Sequence, residues 1–351
     1  MIKIYTADQA DSWNKRVRSF SDWDVYYLCE YAVSLMLHGD GTPLLICYED
    51  ASSKMCYAVM QKDLSNDARF HDKIKKNEYF DLETPYGYGG PLVEGNFSVN
   101  SQRNFLNEML KYCEEKNIIS QFVRFHPLLN NSKYFSAITE SRYLHDTIYM
   151  DTSSDELILK NMDSKNRNMV RKAEKYGVQI VQKPIGDYSA FLEMYRDTMR
   201  LRGACDYYLF DENYFDYLKN SLNDCSTLFY ATRNNEKISG AVFLYSRDIL
   251  HYHLAGTRSE YRSLAAGNLL LYEAARWANR RGISRLHLGG GIKENDSLFE
   301  FKKKFNKNGR LPFFIGRTIF NHTAYNKMLD IREKADNDFD RNNSFLIQYR
   351  N

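Results

Sequence analysis

Three groups of side chains in this 351-residue chain could do chemistry. The first is Arg262-Ser-Leu-Ala-Ala-Gly267-Asn268, directly ahead of a helical pattern. A helix N-terminus carries unpaired N–H groups and the positive end of the helix dipole, which favour an anion such as a phosphate. Gly267 would let such a ligand approach the backbone, and Arg262 could add charge. The same residues also fit a plain tight turn with a surface arginine. The second group is the basic stripe Lys160, Arg167, Arg171 and Lys175. It could meet the phosphates of a nucleic acid, or be a solvated face. The third is the loop around Pro85-Tyr86-Gly87-Tyr88-Gly89-Gly90-Pro91. Its prolines and glycines exclude regular structure, so Tyr86 and Tyr88 are expected to be presented rather than buried; a rigid interdomain loop is the alternative. His251 and His253 alternate on a strand and point the same way, but no third ligand accompanies them, so no metal is expected. No Ser/His/Asp or Cys/His signature announces covalent catalysis.

The elements that must position these groups follow from periodicity. Leu270, Leu271, Ala274, Trp277 and Ala278 recur at helical spacing, with Gly282 as the C-terminal cap. Ile283–Leu288 is a short strand ended by Gly289-Gly290-Gly291, a second helix starts near Asp296 and a last strand near Phe313. Upstream, residues 8–38 read as helical, Leu44–Tyr48 and Met55–Gln61 as paired strands, and 79–92 as an irregular loop. A helix over 101–116 then leads into a strand over 118–125. Shifting this pair by 164 residues aligns Asn104 with Asn268, Leu106 with Leu270, Ile119 with Ile283 and Ser120 with Ser284, which suggests a duplicated unit. Ser153 and Glu156 suggest a capping box for a helix reaching Tyr176, broken near Asp163. Ile158, Met162, Met169, Ala173 and Tyr176 are its expected apolar face. Three strands follow between 227 and 255, and 324–339 is an amphipathic helix expected to pack back on the body.

Length suggests two domains. The net charge of +3 demands neither nucleic acid nor membrane. Six cysteines without a CxxC spacing, several of them in apolar runs, read as buried free thiols of a reducing compartment. The N-terminus lacks an apolar signal core and no run reaches the length of a membrane span, so a cytoplasmic protein without an integral membrane segment is expected.

The second half, with helices, a three-strand meander, R-x-x-x-x-G, helix, strand, helix, strand, resembles the GNAT acyltransferases. Their (Q/R)xxGx(G/A) turn is matched at Arg262–Gly267, with Ala265 in place of the first glycine. The whole chain resembles the FemAB/FemX-like branch through P-Y-G-Y-G-G-P at 85–91, F-V-R-F-H-P at 122–127, R-N-M-V-R-K-A-E-K-Y-G at 167–177, T-M-R-L-R-G-A-C-D-Y-Y at 198–208, H-L-G-G-G at 287–291 and F-K-K-K-F at 301–305. The resemblance implies an α/β chain of two tandem GNAT-like domains, each a mixed sheet flanked by helices. These would be 1–150, with the tail 318–351 packed on it, and 151–317. It implies direct attack of an amine on an activated carbonyl, forming an amide on a cell-envelope precursor. Alignment, oxyanion stabilisation and one proton transfer are what that reaction needs. Lys302 stands where the resemblance puts a charge-stabilising lysine, with Lys303 as fallback. Tyr252 would face the acceptor, and Arg200 or Arg202 with Tyr207 and Tyr208 would grip its phosphates or sugar. Arg262, Gly267 and Asn268 would hold donor phosphate, and Arg167 and Arg171 a tRNA. No tightly bound cofactor is expected. The donor is aminoacyl-tRNA by preference. An acyl-CoA enzyme acting on an amino sugar, with a nucleotide-sugar acceptor, and a non-catalytic module on the same fold are the alternatives.

Overall fold

A computed structural model describes all 351 residues. The chain begins with β1 (Ile2–Thr6), α1 (Ala10–Arg18), α2 (Cys29–Leu37), β2 (Thr42–Glu49), β3 (Ser53–Asp63), β4 (Phe80–Glu83), β5 (Leu92–Gly95), α3 (Val99–Glu115) and β6 (Ile118–Arg124). It continues with β7 (Glu140–Asp151), α4 (Asp155–Asn161), α5 (Ser164–Lys175), β8 (Gln179–Lys183), α6 (Ser189–Leu201), α7 (Glu212–Ser221), β9 (Ser226–Arg233), β10 (Glu236–Tyr245) and β11 (Ile249–Thr257). It closes with α8 (Ala266–Arg280), β12 (Arg285–Gly289), α9 (Ser297–Lys303), β13 (Arg310–Ile319) and α10 (His322–Ala335). Two compact units result, Met1–Leu144 with Phe313–Asn351, and His145–Pro312. β7 and β13 run through the divides, which is why no break in periodicity marks them in the sequence.

The first unit orders its strands β1-β2-β3-β4-β6-β13, with β5 also on β3. β4 and β6 pair parallel and the remaining neighbours antiparallel. The C-terminal helix packs here: Tyr325, Met328 and Leu329 join Phe70, Ile119, Ile347 and Tyr349 in one apolar cluster. The tail is pinned by charge as well. Arg350 donates to Asp81 at 3.0 Å and to Glu83 at 2.7 Å, and buried Asp81 also accepts from Ser120 at 2.9 Å. Two expectations are corrected. Residues 8–38 are two helices, because Asp24 caps a short 3₁₀ turn between them by accepting from the Tyr26 N–H at 3.1 Å. The loop expected over 79–92 is irregular only between β4 and β5.

The second unit orders its strands β7-β12-β11-β10-β9-β8, and only β11–β12 is parallel. Its core gathers Leu270, Leu271, Ala274, Trp277 and Ala278 of α8 against Phe229, Phe243, Leu250 and Leu286 of the sheet. The helix expected over 155–176 breaks at Asp163, whose carboxylate accepts from the Lys165 N–H at 2.7 Å and starts α5. The break resets the helical phase. Asn166, Val170 and Ala173 are the buried residues of α5, while Met169 and Tyr176 are exposed. The cap of α4 is Ser154 rather than Ser153, which bonds Asp151 instead. Both α3–β6 and α8–β12 are helix-then-strand pairs, and in each the strand pairs parallel with one that precedes the helix. The duplication read from the sequence corresponds to this element.

Candidate active site

The parallel register of β11 and β12 covers only Ile249–His251 against Arg285–His287. Beyond it β11 continues to Thr257 along β10, with His253 as the extra residue of a bulge between Tyr252 and Leu254. β12 stops at Gly289, at φ +72°. The β11–β12 pairing therefore ends ahead of the Gly289–Gly291 turn, so the two strands part there. The turn needs its glycines because neighbours crowd it. A Cβ on Gly290 would lie 2.5 Å from the His145 ring, and one on Gly291 2.2 Å from Asp296. Asp296 builds the next step. One carboxylate oxygen accepts from Phe299 N–H at 2.8 Å and starts α9, and the other takes the N–H groups of Ile292 and Lys293 at 2.6 and 3.0 Å. Burial works against the charge of Asp296, but these N–H bonds hold its pKa below the usual carboxylate value.

α9 then aims Lys302 inward. Among the three lysines, Lys302 is 8% exposed, while Lys303 pairs with Glu300 at 3.3 Å on the outer face. The Lys302 ammonium donates to Gly290 O at 2.6 Å. Burial pushes its pKa down to about 7; Asp296 opposes the shift and the Arg202 charge adds to it. An ammonium has three N–H donors, so two remain for a ligand.

Arg202 brings Tyr252 into the same neighbourhood. Tyr252 is half-buried on β11 with its ring 5.6 Å from Phe243. Burial raises its hydroxyl to about 12, and Arg202 partly offsets this. Lys302, Tyr252 and Arg202 thus share one electrostatic environment. His253 is held neutral, its pKa pushed down to about 3 by burial and then by His251, and its Nε2 meets the Tyr214 hydroxyl at 2.8 Å. Tyr207 and Tyr208 form a T-shaped pair at 5.4 Å, each little more than a third exposed, and the Tyr208 carbonyl accepts from Tyr195 at 2.7 Å. Arg200 stands apart. It lies on the outer face of α6, 3.6 Å from Asp197, both side chains about 70% exposed. Of the two arginines, Arg202 is the one near Lys302.

The N-terminus of α8 is open. Its cap residue, Ala265, sits at φ +56° and offers no side-chain hydrogen bond. Arg262 is exposed in the turn just before it. Gly267 is in ordinary helical geometry with nothing within 4 Å of a Cβ position, so the strained position is Ala265, not the glycine. Asn268 turns inward and donates to Asn166 of α5 at 2.6 Å. This bond holds α5 against α8. Arg167 is likewise taken up locally. Its guanidinium donates to the carbonyls of Leu159 (3.1 Å) and Met162, closing the turn between α4 and α5. Arg171 is exposed and bonds Asn168 at 3.0 Å.

In the first unit the tyrosine loop is anchored through its backbone, with Tyr86 and Tyr88 half-buried. Asn131 donates to Gly89 O at 2.8 Å, Arg124 to Gly87 O at 2.9 Å, and Tyr31 to Tyr86 O. Tyr88 lies edge-on to Phe313 at 5.2 Å, and burial raises its hydroxyl to about 12. Sequence reading missed Asp296 and the Gly290 carbonyl as partners of Lys302. The Asp-Ser-Leu-Phe-Glu run was the available signal, since an aspartate at a helix start is a cap.

Residues 160–303, which hold β11, β12, the open α8 N-terminus and Lys302, match the acetyltransferase (GNAT) domain family. The chain carries a GNAT acyltransferase domain. Its fold over nearly the full length is similar to that of FemX, with a TM-score of 0.66 at 14% identity, covering 93% of this chain and 99% of that one. The C-terminal domain of a putative lysylphosphatidylglycerol synthetase from Agrobacterium fabrum is also similar, with TM-score 0.53 and 12% identity, over 94% of each chain. L-PGS from Bacillus licheniformis gives 0.52 at 12%, over 86% of this chain and 91% of that one. No curated protein matches in sequence. The tandem GNAT-like α/β architecture implied by the sequence motifs is the one found, and no helix is long and apolar enough to cross a membrane.

Proposed function

We propose that this GNAT-fold acyltransferase forms an amide on an amine of a cell-envelope precursor, with aminoacyl-tRNA as donor. The observation that carries the reading is the buried Lys302 on Gly290 O, beside Arg202 and Tyr252, at the point where β11 and β12 part. The acceptor amine, deprotonated, attacks the acyl carbon; negative charge grows on the carbonyl oxygen and the ester alcohol leaves with a proton. A desolvated ammonium stabilises that charge far better than a solvated one. In this reading Arg202 and Tyr252 hold an anionic or sugar part of the acceptor, supported by the Arg202 charge acting on both Lys302 and Tyr252. The likeness to FemX and the motif resemblance support the envelope precursor and the tRNA donor. A cytoplasmic location accords with such a donor.

The second reading, acyl-CoA as donor and an amino sugar as acceptor, is favoured by the uncapped α8 N-terminus with exposed Arg262. The test supplies the purified protein with a peptidoglycan-precursor amine or an amino sugar. Each is paired with mixed aminoacyl-tRNA or acetyl-CoA, and amide formation is followed by mass spectrometry. Turnover from aminoacyl-tRNA that drops about 10²–10³-fold in Lys302→Met is the expected result. Turnover from acetyl-CoA that is lost in Arg262→Ala selects the second reading. Turnover that survives Lys302→Met within tenfold removes the lysine from the mechanism.

A further inference from the structure

The strand register of the first unit sets three reactive side chains in one row. Lys3 of β1 lies opposite Cys47 of β2, and Cys47 opposite Cys56 of β3. Directly opposed residues of antiparallel strands point to the same face, with Cα atoms about 4.5–5.5 Å apart, inside the range a disulfide spans. Both cysteines are buried, at 3% and 0% exposure. Above them Arg16 of α1 is fixed by Glu49 at 2.9 Å, and its Nε is buried without an oxygen or nitrogen partner. Its charge, with that of Lys3, acts on the Cys47 sulfur. The neighbouring Cys56 and the Arg16 and Lys3 charges lower the Cys47 pKa against its burial, and burial raises that of Cys56. The register thus pairs a sulfur next to two cationic side chains with a fully buried one, the layout of an attacking and a resolving cysteine. The other thiols lack this. Cys29 and Cys113 are raised by burial, to about 12 for Cys29.

We infer that Cys47 and Cys56 form a redox-active pair that closes to a cross-strand disulfide when met by a peroxide. Cys47 thiolate attacks one peroxide oxygen, giving a sulfenic acid and hydroxide, which takes up a proton to become water. The Cys56 sulfur then attacks Cys47 Sγ, the S–O bond breaks, and the departing hydroxide leaves as a second water with the Cys56 proton. The two thiols lose two electrons in total and the peroxide gains them. A small oxidant is required because the pair is roofed by α1 and flanked by β1, a five-residue strand at the edge of its sheet. A dithiol reductant reverses the step.

The full chain carrying Cys205→Ser, which removes the exposed thiol, is treated with hydrogen peroxide. It is then quenched by N-ethylmaleimide under denaturing conditions and mapped by peptide mass spectrometry. The expected product is a Cys47–Cys56 linked peptide pair, 2 Da below the reduced sum and restored by dithiothreitol. Arg16→Met slows its formation by several-fold while circular dichroism confirms a native fold. Cys56→Ser diverts Cys47 to sulfinic acid, 32 Da heavier. The inference is overturned if Cys225 oxidises while 47 and 56 remain alkylated. It is also overturned if the linked peptide forms only in urea, or if Cys56→Ser leaves Cys47 unmodified. An unchanged rate in Arg16→Met overturns the activation by Arg16.

Discussion

Replacing Lys302 by methionine should stabilise the protein and disable it, and the gain should depend on pH. Lys302 titrates near 7 in the fold against an ordinary 10.5. Between those values the unfolded chain binds more protons than the folded one, so stability rises with pH. At pH 6 both states carry the charge, and burying it costs roughly 5 kcal/mol; by pH 9 the cost has fallen to about 2 kcal/mol. Methionine has similar length and no charge, so it is free of this cost, although it forfeits the bond to Gly290 O. That loss is the same at every pH. The stability difference between Lys302→Met and the parent should therefore shrink by roughly 2–3 kcal/mol from pH 6 to pH 9. For a unit of this size that is about 5–10 °C in melting temperature. Paired thermal melts of parent and variant at several pH values measure it, and other titrating groups cancel in the difference. A difference constant within about 0.5 kcal/mol across that range would refute a desolvated, half-titrating lysine.

Further expectations rest on other residues. Because the ammonium is lost as pH rises through about 7, kcat should fall on the alkaline side with a midpoint there, and Lys302→Arg should move that limb beyond pH 9 in a kcat–pH profile. Ala265→Gly should raise stability by about 1 kcal/mol in urea titrations, since φ +56° is strained for alanine and free for glycine. Arg167→Ala should cost about 1–2 kcal/mol by stranding the Leu159 and Met162 carbonyls, whereas Arg171→Ala should leave the melting temperature unchanged. In the first unit, burial would raise the Glu83 carboxyl, but Arg350 and Lys62 hold it down to about 2. Its stabilising contribution is present above pH 4.5 and lost as pH falls toward 2, and Arg350→Met, which leaves only Lys62 beside Glu83, should reduce this acid sensitivity in pH-jump unfolding while destabilising the unit by about 3–5 kcal/mol.

What the sequence made legible was whatever period and turn chemistry control. α8 was readable from Leu270, Ala274 and Trp277, and the break at Asp163 from its cap. β7 was not, because the first half of Glu140–Asp151 is exposed and polar and shows no buried alternation. β4 was hidden because its four residues adjoin a proline–glycine loop. Lys302 was distinguishable from Lys303 by resemblance alone; in the structure the i, i+3 relation of Phe299 and Lys302 puts both on the buried face of α9. The local partners of Asn268 and Arg167 were not legible for a common reason. A polar side chain at helical spacing announces its charge or amide, while its partner is set by the fold: Asn166, 102 residues away, by the packing of α5 on α8, and the Leu159 and Met162 carbonyls by the turn between α4 and α5.

The two copies of the helix-then-strand element permit one further argument about the donor. In the first unit the N-terminus of α3 is closed by its own chain: Ser98 accepts from the Ser101 N–H at 3.2 Å, and the two hydroxyls meet at 3.1 Å. A capped terminus has fewer N–H groups to offer an anion. In the second unit the corresponding end of α8 begins with an alanine held at φ +56°, which supplies no acceptor and bears backbone strain of roughly 1–2 kcal/mol. Stability alone would favour a serine, asparagine or glycine at that position. An uncapped, strained helix start in the unit that also buries an ammonium is therefore the combination expected where the N–H groups are kept for a phosphate that arrives with the donor. Ala265→Asn offers the discriminating measurement. An asparagine cap should stabilise the fold while weakening donor binding, for acyl-CoA or for aminoacyl-tRNA alike. If donor affinity is unchanged while stability rises, the α8 terminus plays no part in holding the donor.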